Sequence, residues 1–371
     1  MTQDAAPRKG RPRRGRAAAI QTVAVEAVTW TLDRPPTIND VARLAHVSKK
    51  TVSRVINQSP FVNEETRTII NGIIEQIGYV PSPQARGLAF QRSFLLGLVY
   101  DNPNAQFIVN IQEGVLAACR LAGFELVVHP CDQKSPHFLN DAKQFVQRQN
   151  LDGVIVVPPA SENPQLVEVL RDLGCRYVRL SAVSLDEAAN MVVYNDRQGA
   201  AEVAEHLAAL GHRDIGFIAG PSRHRSAHER RESFVGALKS HGITLRPEMV
   251  EEGAYTFESG EVCATRLLTR EPRPTAIFAS NDEMAAGVYK TAQRLGISIP
   301  RDLTIVGFDD SPIATRLWPS LTTVRLPAKD LGRLAAEKLI IRISSDEEEG
   351  HTATGVVSRM VVRESSVPPR G

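Results

Sequence analysis

PTINDVARLAHVSKKTVSRVIN, Pro36–Asn57, is the stretch on which the reading of this chain turns. Thr37 is placed to cap a helix that starts at Ile38, with Asp40 three residues on to answer it. Ile38, Val41, Ala42 and Ala45 recur at helical spacing and mark one apolar face. His46-Val47 then make a turn, Ser48 caps a second helix, and Val52, Val55 and Ile56 face the same interior. A third helix is expected from Asn63, with Glu64 and Glu65 in its first turn, burying Ile70, Ile73, Ile74 and Ile77 and stopping at Gly78. Three short helices around one small core form a helix-turn-helix head, spanning 36–80, whose second helix can enter the major groove of DNA.

On that second helix Lys49 and Lys50 occupy the N-terminal end, which points at base edges in such a docking, and lysine there favours guanine O6 and N7. Thr51, Ser53, Arg54 and Asn57 suit phosphates and nearby edges, and Thr37 and Ser48, at the two helix starts, complete the set. Upstream, residues 1–35 read as a disordered basic arm. Within the first sixteen residues Arg8, Lys9, Arg11, Arg13, Arg14 and Arg16 face a single acid, Asp4, a charge pattern that suits phosphates or a narrow minor groove. Within it, Ala17 to Trp30 leans apolar and reads as helical.

Downstream, PSPQARGLA, Pro81–Ala89, reads as a hinge over 81–94. Pro83 can start a helix, but about two turns carrying Gly87 are unstable alone in water. The segment is expected to be disordered off DNA and helical on it.

From Leu95 the pattern changes. LLGLVY (95–100), ELVVHP (125–130) and GVIVVPP (153–159) read as buried parallel strands, and DIGFIAGP (214–221), AIFASND (276–282) and LTIVGFDD (303–310) repeat the reading in a second half. GVVSRMVVRES reads as a last strand, after a solvated acidic loop at Asp346–Glu349. Amphipathic helices alternate with the strands, as at 199–210, where Ala200, Val203, Ala204, Leu207 and Leu210 share a face. The fold class is therefore α/β: two doubly wound parallel-sheet lobes resembling periplasmic binding proteins, behind a three-helix head and hinge helix. Ligands bind such sheets beyond the carboxyl ends of the strands. Those ends carry Asp101 and Asn102, Gly220 and Pro221, Asn281 and Asp282, Asp309 and Asp310. Asn195 and Asp196 read as a helix cap.

A chain of 371 residues exceeds one ordinary core, and 42% hydrophobic residues suit globular domains. The net charge of +2 says little about partners. No apolar run is long enough to span a bilayer, and the basic N-terminus lacks the apolar core of a secretory leader. Cys119, Cys131, Cys175 and Cys263 are scattered, which suits buried thiols in a reducing cytoplasm. His224 and His228 stand four apart with no third ligand at a recognisable interval, so no metal or other cofactor is expected. GxSxG, Walker and HExxH motifs are missing, and adjacent Asp309 and Asp310 point oppositely on a strand, so no enzyme is expected either.

The head and hinge, together with LLGLVYDNP, HLAALGHRDIGFIAGP, FASNDEMAAG, TIVGFDDSP and PSLTTVRLP in that order, resemble the lactose/galactose-repressor family of bacterial transcriptional regulators over residues 36–367. His46 departs from the glycine many members carry at the turn, though histidine tolerates positive φ. The resemblance implies an operator-binding repressor of carbohydrate-utilisation genes, a homodimer or larger assembly on a near-palindromic site, in the cytoplasm at the nucleoid. It implies that Ala85, Arg86 and Leu88 of the hinge meet the minor groove, Leu88 as a wedge. It implies that Phe107, His224, Ser226, His228, Arg230, Tyr255, Asn281 and Asp309, joined by Asp101 at its strand end, bind a small effector, a sugar or sugar derivative. It also implies a core over 95–371 whose chain crosses between subdomains near Tyr194, Pro319 and Ala353, giving lobes of 95–193 with 321–352 and of 194–320 with 353–367. Ser181 or Ala182 stands where several sugar-binding relatives carry a carboxylate, which keeps a nucleobase corepressor open as the alternative. A soluble solute-binding protein of transport shares the core architecture and is the more distant alternative.

Overall fold

The computed structural model describes residues 34–56, 61–80, 92–344 and 355–370. Residues 1–33 of the basic arm, Asn57, the hinge residues Ala85, Arg86 and Leu88, and the acidic run at 346–349 lie outside the described residues. The chain divides into two units, Met1–Ala85 and Arg86–Gly371.

In the first unit the helices are α1 (Ile38–Leu44), α2 (Lys49–Ile56) and α3 (Glu64–Ile77). Val41, Ala42, Val52, Val55, Ile70 and Tyr79 form the buried core. Ile73, Ile74 and Ile77 are half-buried against it rather than buried, because so small a bundle covers only part of a long third helix. The turn after α1 is made by His46 at φ 51°, and the Val47 N–H closes back on the Ala42 carbonyl at 3.0 Å. Gly78 ends α3 in the left-handed conformation (φ 63°), which lets the Tyr79 N–H reach the Ile74 carbonyl and returns the Tyr79 ring to the core.

The start of α1 holds a buried charge that periodicity did not show. Asp40 is only 5% exposed and accepts from the Thr37 N–H at 2.9 Å and the Thr37 hydroxyl at 2.7 Å. Arg34 grips both of its oxygens at 2.9 and 3.1 Å. The Arg34 guanidinium first, then Thr37, hold the Asp40 carboxyl well below the usual carboxylate range.

The second unit has two parallel sheets. The first runs β2 (Glu125–Pro130), β1 (Leu95–Tyr100), β3 (Gly153–Val156), β4 (Arg176–Ser181), β5 (Met191–Asn195), β11 (Val356–Val357). Leu96, Leu98, Ile155, Val178 and Leu180 point to the face covered by α4 (Ala105–Ala122) and α12 (Ala328–Ser344). Val99, Val154, Val156 and Tyr177 point to α5 (Phe138–Gln149) and α6 (Pro164–Asp172). Both faces are buried over β1, β3 and β4, and β1 and β3 read as near-continuous apolar runs, whereas β2, expected to be buried, lies at the sheet edge with no buried residue.

The second sheet runs β7 (Val250–Glu252), β6 (Ile215–Ala219), β8 (Ala276–Ala279), β9 (Thr304–Val306). It lies between α7 (Asp196–Ala209) with α8 (Arg225–Ser240) and α9 (Phe257–Leu268) with α10 (Asp282–Arg294). The short α11 (Pro312–Arg316) follows, and β10 (Thr323–Arg325) continues this lobe through single bridges Val306–Thr322 and Asp309–Arg325.

Three crossings join the lobes. The first follows Asn195, where β5 ends and α7 begins, so α7 starts three residues before the expected Gly199. Asn195 caps α7 by accepting from the Gln198 N–H. The second falls at Leu326-Pro327 rather than near Pro319, because Thr322 and Arg325 are bridged to the second lobe while α12 packs on the first. The third falls at Ser358 rather than near Ala353. The expected single last strand is two: β11 pairs with β5 of the first sheet, and β12 (Arg359–Val361) pairs antiparallel with β10. Buried Ser358 between them donates its N–H to the Asn195 carbonyl and its hydroxyl to Asp196, which pins the switch.

Candidate functional site

The head presents α2. Ser48 caps it, its Oγ accepting from the Thr51 N–H at 3.1 Å and lying 2.9 Å from the Thr51 hydroxyl. Lys49, Lys50 and Arg54 are exposed, and Thr51 and Ser53 half-buried, while Val52 and Val55 seat the helix on the core. Thr37, also exposed, spends its hydroxyl on Asp40. The first turn of α2 carries two lysines and no acid, whereas that of α3 carries Glu64 and Glu65. A helix N-terminus is the positive end of its dipole, so α3 follows the stabilising pattern and α2 opposes it. A polyanion laid against that end of α2 relieves the repulsion.

The second candidate lies between the lobes of the Arg86–Gly371 unit, at the carboxyl ends of the strands. The lobes leave only a narrow space there, about 40 Å³. The chain after β1 supplies Asn102, whose Nδ2 donates to the Pro158 carbonyl at 3.0 Å and whose Oδ1 accepts from the Asn104 N–H at 2.9 Å. Asn104 caps α4 through the Phe107 N–H and extends its Nδ2 to Asp309 Oδ2 at 2.7 Å. That hydrogen bond runs from one lobe to the other.

Arg230, from α8, is the central cation. Its Nε donates to Asp196 Oδ2 at 2.8 Å, its Nη1 donates to the Ser280 carbonyl, and its Nη2 lies 3.8 Å from Asp309 Oδ1. The guanidinium sits 3.7 Å from the centre of the Phe308 ring. Burial works against its charge, and Asp196, Tyr255 and Asp309 together more than offset this, so the Arg230 pKa is raised. Asp309, at φ 111°, is pushed up to about 7 by burial, against the opposing pull of Arg230. Its neighbour Asp310, at φ 53°, turns away to Arg325 and Arg363.

His224 and Tyr255 form the other wall, ring centres 5.6 Å apart. Burial lowers the His224 imidazole to about 4, so the ring is neutral, and its Nε2 is buried with no hydrogen-bond partner among the described residues. Tyr255 holds φ 62°, and Asn281 secures it: the Asn281 Nδ2 donates to the Tyr255 carbonyl while its Oδ1 caps α10 through the Met284 N–H, both at 2.9 Å. Gly220 is required beneath the phenol, because a Cβ there would stand 2.1 Å from Tyr255 Oη. Three non-glycine residues of the cleft region (Tyr255, Asp309, Asp310) thus sit at positive φ, a strain that persists where the surroundings enforce it.

Phe107, His224, Ser226, Arg230, Tyr255, Asn281 and Asp309 come together in this wall, with Asn102, Asn104, Pro158, Tyr194 and Leu326. Two expected members do not. Asp101 instead accepts from the Gln133 N–H at 3.2 Å and Nε2 at 3.3 Å, outside the wall. His228, one turn beyond His224 on α8, is exposed and bonds the Ser222 carbonyl. Among the missed residues, Asn104 had a local signal, the cap spacing Asn104 to Phe107. Tyr194 and Leu326 had none, since their places follow from the lobe crossings. Neither Ser181 nor Ala182 lines the space. Among the described residues no cluster of three His, Cys, Asp or Glu side chains is placed to hold a metal, and no helix is long and apolar enough to cross a membrane.

Comparison with known proteins agrees in both units. Residues 37–82 match the family of bacterial regulatory proteins, lacI family, and residues 204–366 match the periplasmic binding protein-like domain. The probable HTH-type transcriptional repressor ExuR of Bacillus subtilis (strain 168) is 32% identical over 84% of this chain and 92% of its own length. Among solved structures, a transcriptional regulator CelR-cellobiose complex is 30% identical, with a TM-score of 0.67 over 89% of this chain and 100% of that one. The lac repressor dimer bound to operator and the anti-inducer ONPF is 26% identical, with a TM-score of 0.73 over 90% of this chain and 100% of that one.

Proposed function

The chain belongs to the lacI family of bacterial regulatory proteins, and from that premise we propose that it is a homodimeric repressor whose operator affinity is set by a sugar held between the lobes. It is a DNA-binding regulator of transcription, not an enzyme, and works in the bacterial cytoplasm. Its operator would hold it at the nucleoid. In this reading Lys49 and Lys50 contact base edges, and Thr37, Ser48, Thr51, Ser53 and Arg54 serve phosphates and nearby edges. Asn57, Ala85, Arg86 and Leu88 keep the DNA-facing roles that the family resemblance implies. Two-fold symmetry of the dimer calls for a near-palindromic site.

One observation supports the switch above others: Asn104 and Asp309 join the two lobes directly, inside a wall of mixed polar and apolar side chains. A sugar hydroxyl donating to Asp309 competes with the Asn104 amide for the same carboxylate. The lobes then settle at a different separation, and the arrangement the sugar binds better becomes the populated one. By reciprocity the same free energy appears as a change in operator affinity. Asn102, Asn104 and Asn281 spend their amides on the chain itself, so the groups left for a ligand are the charges of Arg230 and Asp309, which suit hydroxyls. The relative solved with cellobiose supports the same class.

A thermal-shift screen of mono- and disaccharides beside nucleobases tests this reading. At a hundredfold excess over its Kd, a native-state binder adds about 2.7 kcal/mol of stability. A sugar is expected to raise the melting temperature and to change operator binding at the same concentration. A response to nucleobases alone would overturn the sugar reading.

A further inference from the structure

The basic run at the N-terminus takes no part in the function proposed above. The match to the lacI family begins at residue 37, so Arg8, Lys9, Arg11, Arg13, Arg14 and Arg16 stand outside it. The run also lies outside the described residues. What the structure describes is how the head receives the chain that follows it. Arg34 holds both oxygens of Asp40 at 2.9 and 3.1 Å, and Asp40 is bonded in turn to the Thr37 N–H and hydroxyl at the start of α1. Pro35 and Pro36 stiffen the link between them. The chain therefore leaves the head at a fixed place, the N-terminal end of α1, and in a helix-turn-helix docking the first helix crosses the phosphate backbone. From Arg34 back to Arg16 the extended chain spans at most about 60 Å, more than the ~34 Å of one DNA turn.

Lys9-Gly10-Arg11-Pro12-Arg13 has the chemistry of a minor-groove ligand. Side chains alternate along an extended chain, so Lys9, Arg11 and Arg13 share one face. Between them Gly10 adds no side chain, and Pro12 fixes one φ and has no N–H to satisfy. Such a ribbon suits a groove about 6 Å wide. A·T-rich tracts narrow that groove and deepen its negative potential, which favours arginine. A G·C pair instead sets the guanine N2 amino group in the groove. Arg8, Arg14 and Arg16, on the opposite face, are left for phosphates.

We infer that residues 8–16 form a second DNA-binding element, which lays Arg11 and Arg13 in an A·T-rich minor groove beside the half-site met by α2. The minor groove separates A·T from G·C but hardly A·T from T·A. The element thus adds a preference for base composition rather than for exact sequence. A dimer carries two copies of it, one for each half of the site.

The test is binding of the full-length protein to poly(dA-dT), poly(dI-dC) and poly(dG-dC) duplexes, followed by competition against a fluorescent duplex. Poly(dI-dC) keeps the O6 and N7 acceptors of a G·C pair in the major groove and lacks the N2 amino group in the minor groove, so a difference from poly(dG-dC) originates in the minor groove. Wild type is expected to prefer poly(dA-dT) and poly(dI-dC) over poly(dG-dC) by about tenfold. The Arg11→Ala, Arg13→Ala double variant is expected to lose most of that preference. Arg11→Lys with Arg13→Lys, which preserves the charge, is expected to keep the overall affinity yet lose at least half of the preference, because an ammonium is the more strongly hydrated cation. Circular dichroism and thermal melting confirm that each variant folds. Equal weakening of the alanine variant on all three duplexes, with full recovery in the lysine variant, would overturn the minor-groove element and leave the run to phosphates. A preference that survives in both variants would assign it to the head and hinge and overturn the element as well. Alanine-variant binding equal to wild type on every duplex would reduce residues 8–16 to a solubilising tail.

Discussion

The head and the cleft use charge in opposite ways. On α2, Lys49, Lys50 and Arg54 are exposed, and the two lysines crowd the positive end of a helix dipole with no acid to balance them. In the cleft, Arg230, Asp196 and Asp309 are withdrawn from water and satisfied by one another, by Ser358 and by Asn104. An exposed, unbalanced cation is suited to a partner that arrives as a polyanion and is screened by salt. A buried, balanced set is suited to a small ligand that must replace specific hydrogen bonds. One region is sensitive to ionic strength, the other to protonation and to single-atom changes, and the contrast ranks the experiments that would break it.

The largest effect is expected at Arg230→Ala. Removing the guanidinium leaves Asp196 buried without its cation, and breaking such a pair costs about 3–5 kcal/mol. Denaturant unfolding should show the loss in the effector-binding unit, while operator-independent spectroscopy of the isolated helical signal of the head stays unchanged. A loss below about 1 kcal/mol would mean that the cleft charges are solvated like those of α2.

Lys49→Ala and Lys50→Ala should cost less, about 1–3 kcal/mol each if the side chain reads a base, and only on specific DNA. Equal weakening on operator and random sequence, with the salt slope reduced by about one, would assign the lysine to phosphates instead.

The last test concerns pH. Asp309 has a carboxyl raised to about 7 when folded, against an ordinary value of 3.8 when unfolded. Between these values the unfolded chain has released a proton that the folded chain keeps, so Asp309 makes the protein progressively less stable as pH rises from about 4 to about 7. The stability difference between wild type and Asp309→Asn should therefore shift against wild type across that window and level off above it. A difference that is flat with pH would show that Asp309 is solvated and ordinary.

How much of this was legible in the sequence divides along the same line. The head is built from contacts within a few residues, so Thr37 with Asp40, Ser48 with Thr51, and Gly78 as a stop could be read from spacing alone. The strands β1, β2, β3, β6, β8 and β9 stood out as apolar runs, whereas β4, with Arg176 and Arg179 in it, did not. Residues at strand ends were legible as a class, yet which of them meet was not. Asp101 and Asp309 look equivalent in sequence, but Asp101 turns to Gln133 while Asp309 reaches Asn104, 205 positions away. His228 shares a helix with His224 and leaves the cleft because a single turn of α8 carries it to Ser222. Ser358 in the middle of an apolar strand pattern gave no hint that the chain changes sheets there. Such features depend on pairings far apart in the chain, which periodicity does not encode.

The central claim is that a sugar in the cleft sets the operator affinity of the head. The most direct measurement is operator binding by fluorescence anisotropy, wild type beside Asp309→Ala, each with and without the sugar found in the thermal-shift screen. The wild-type protein should change its operator affinity when the sugar is added, and Asp309→Ala should show one affinity with and without it. An Asp309→Ala protein that still responds like wild type would contradict the account.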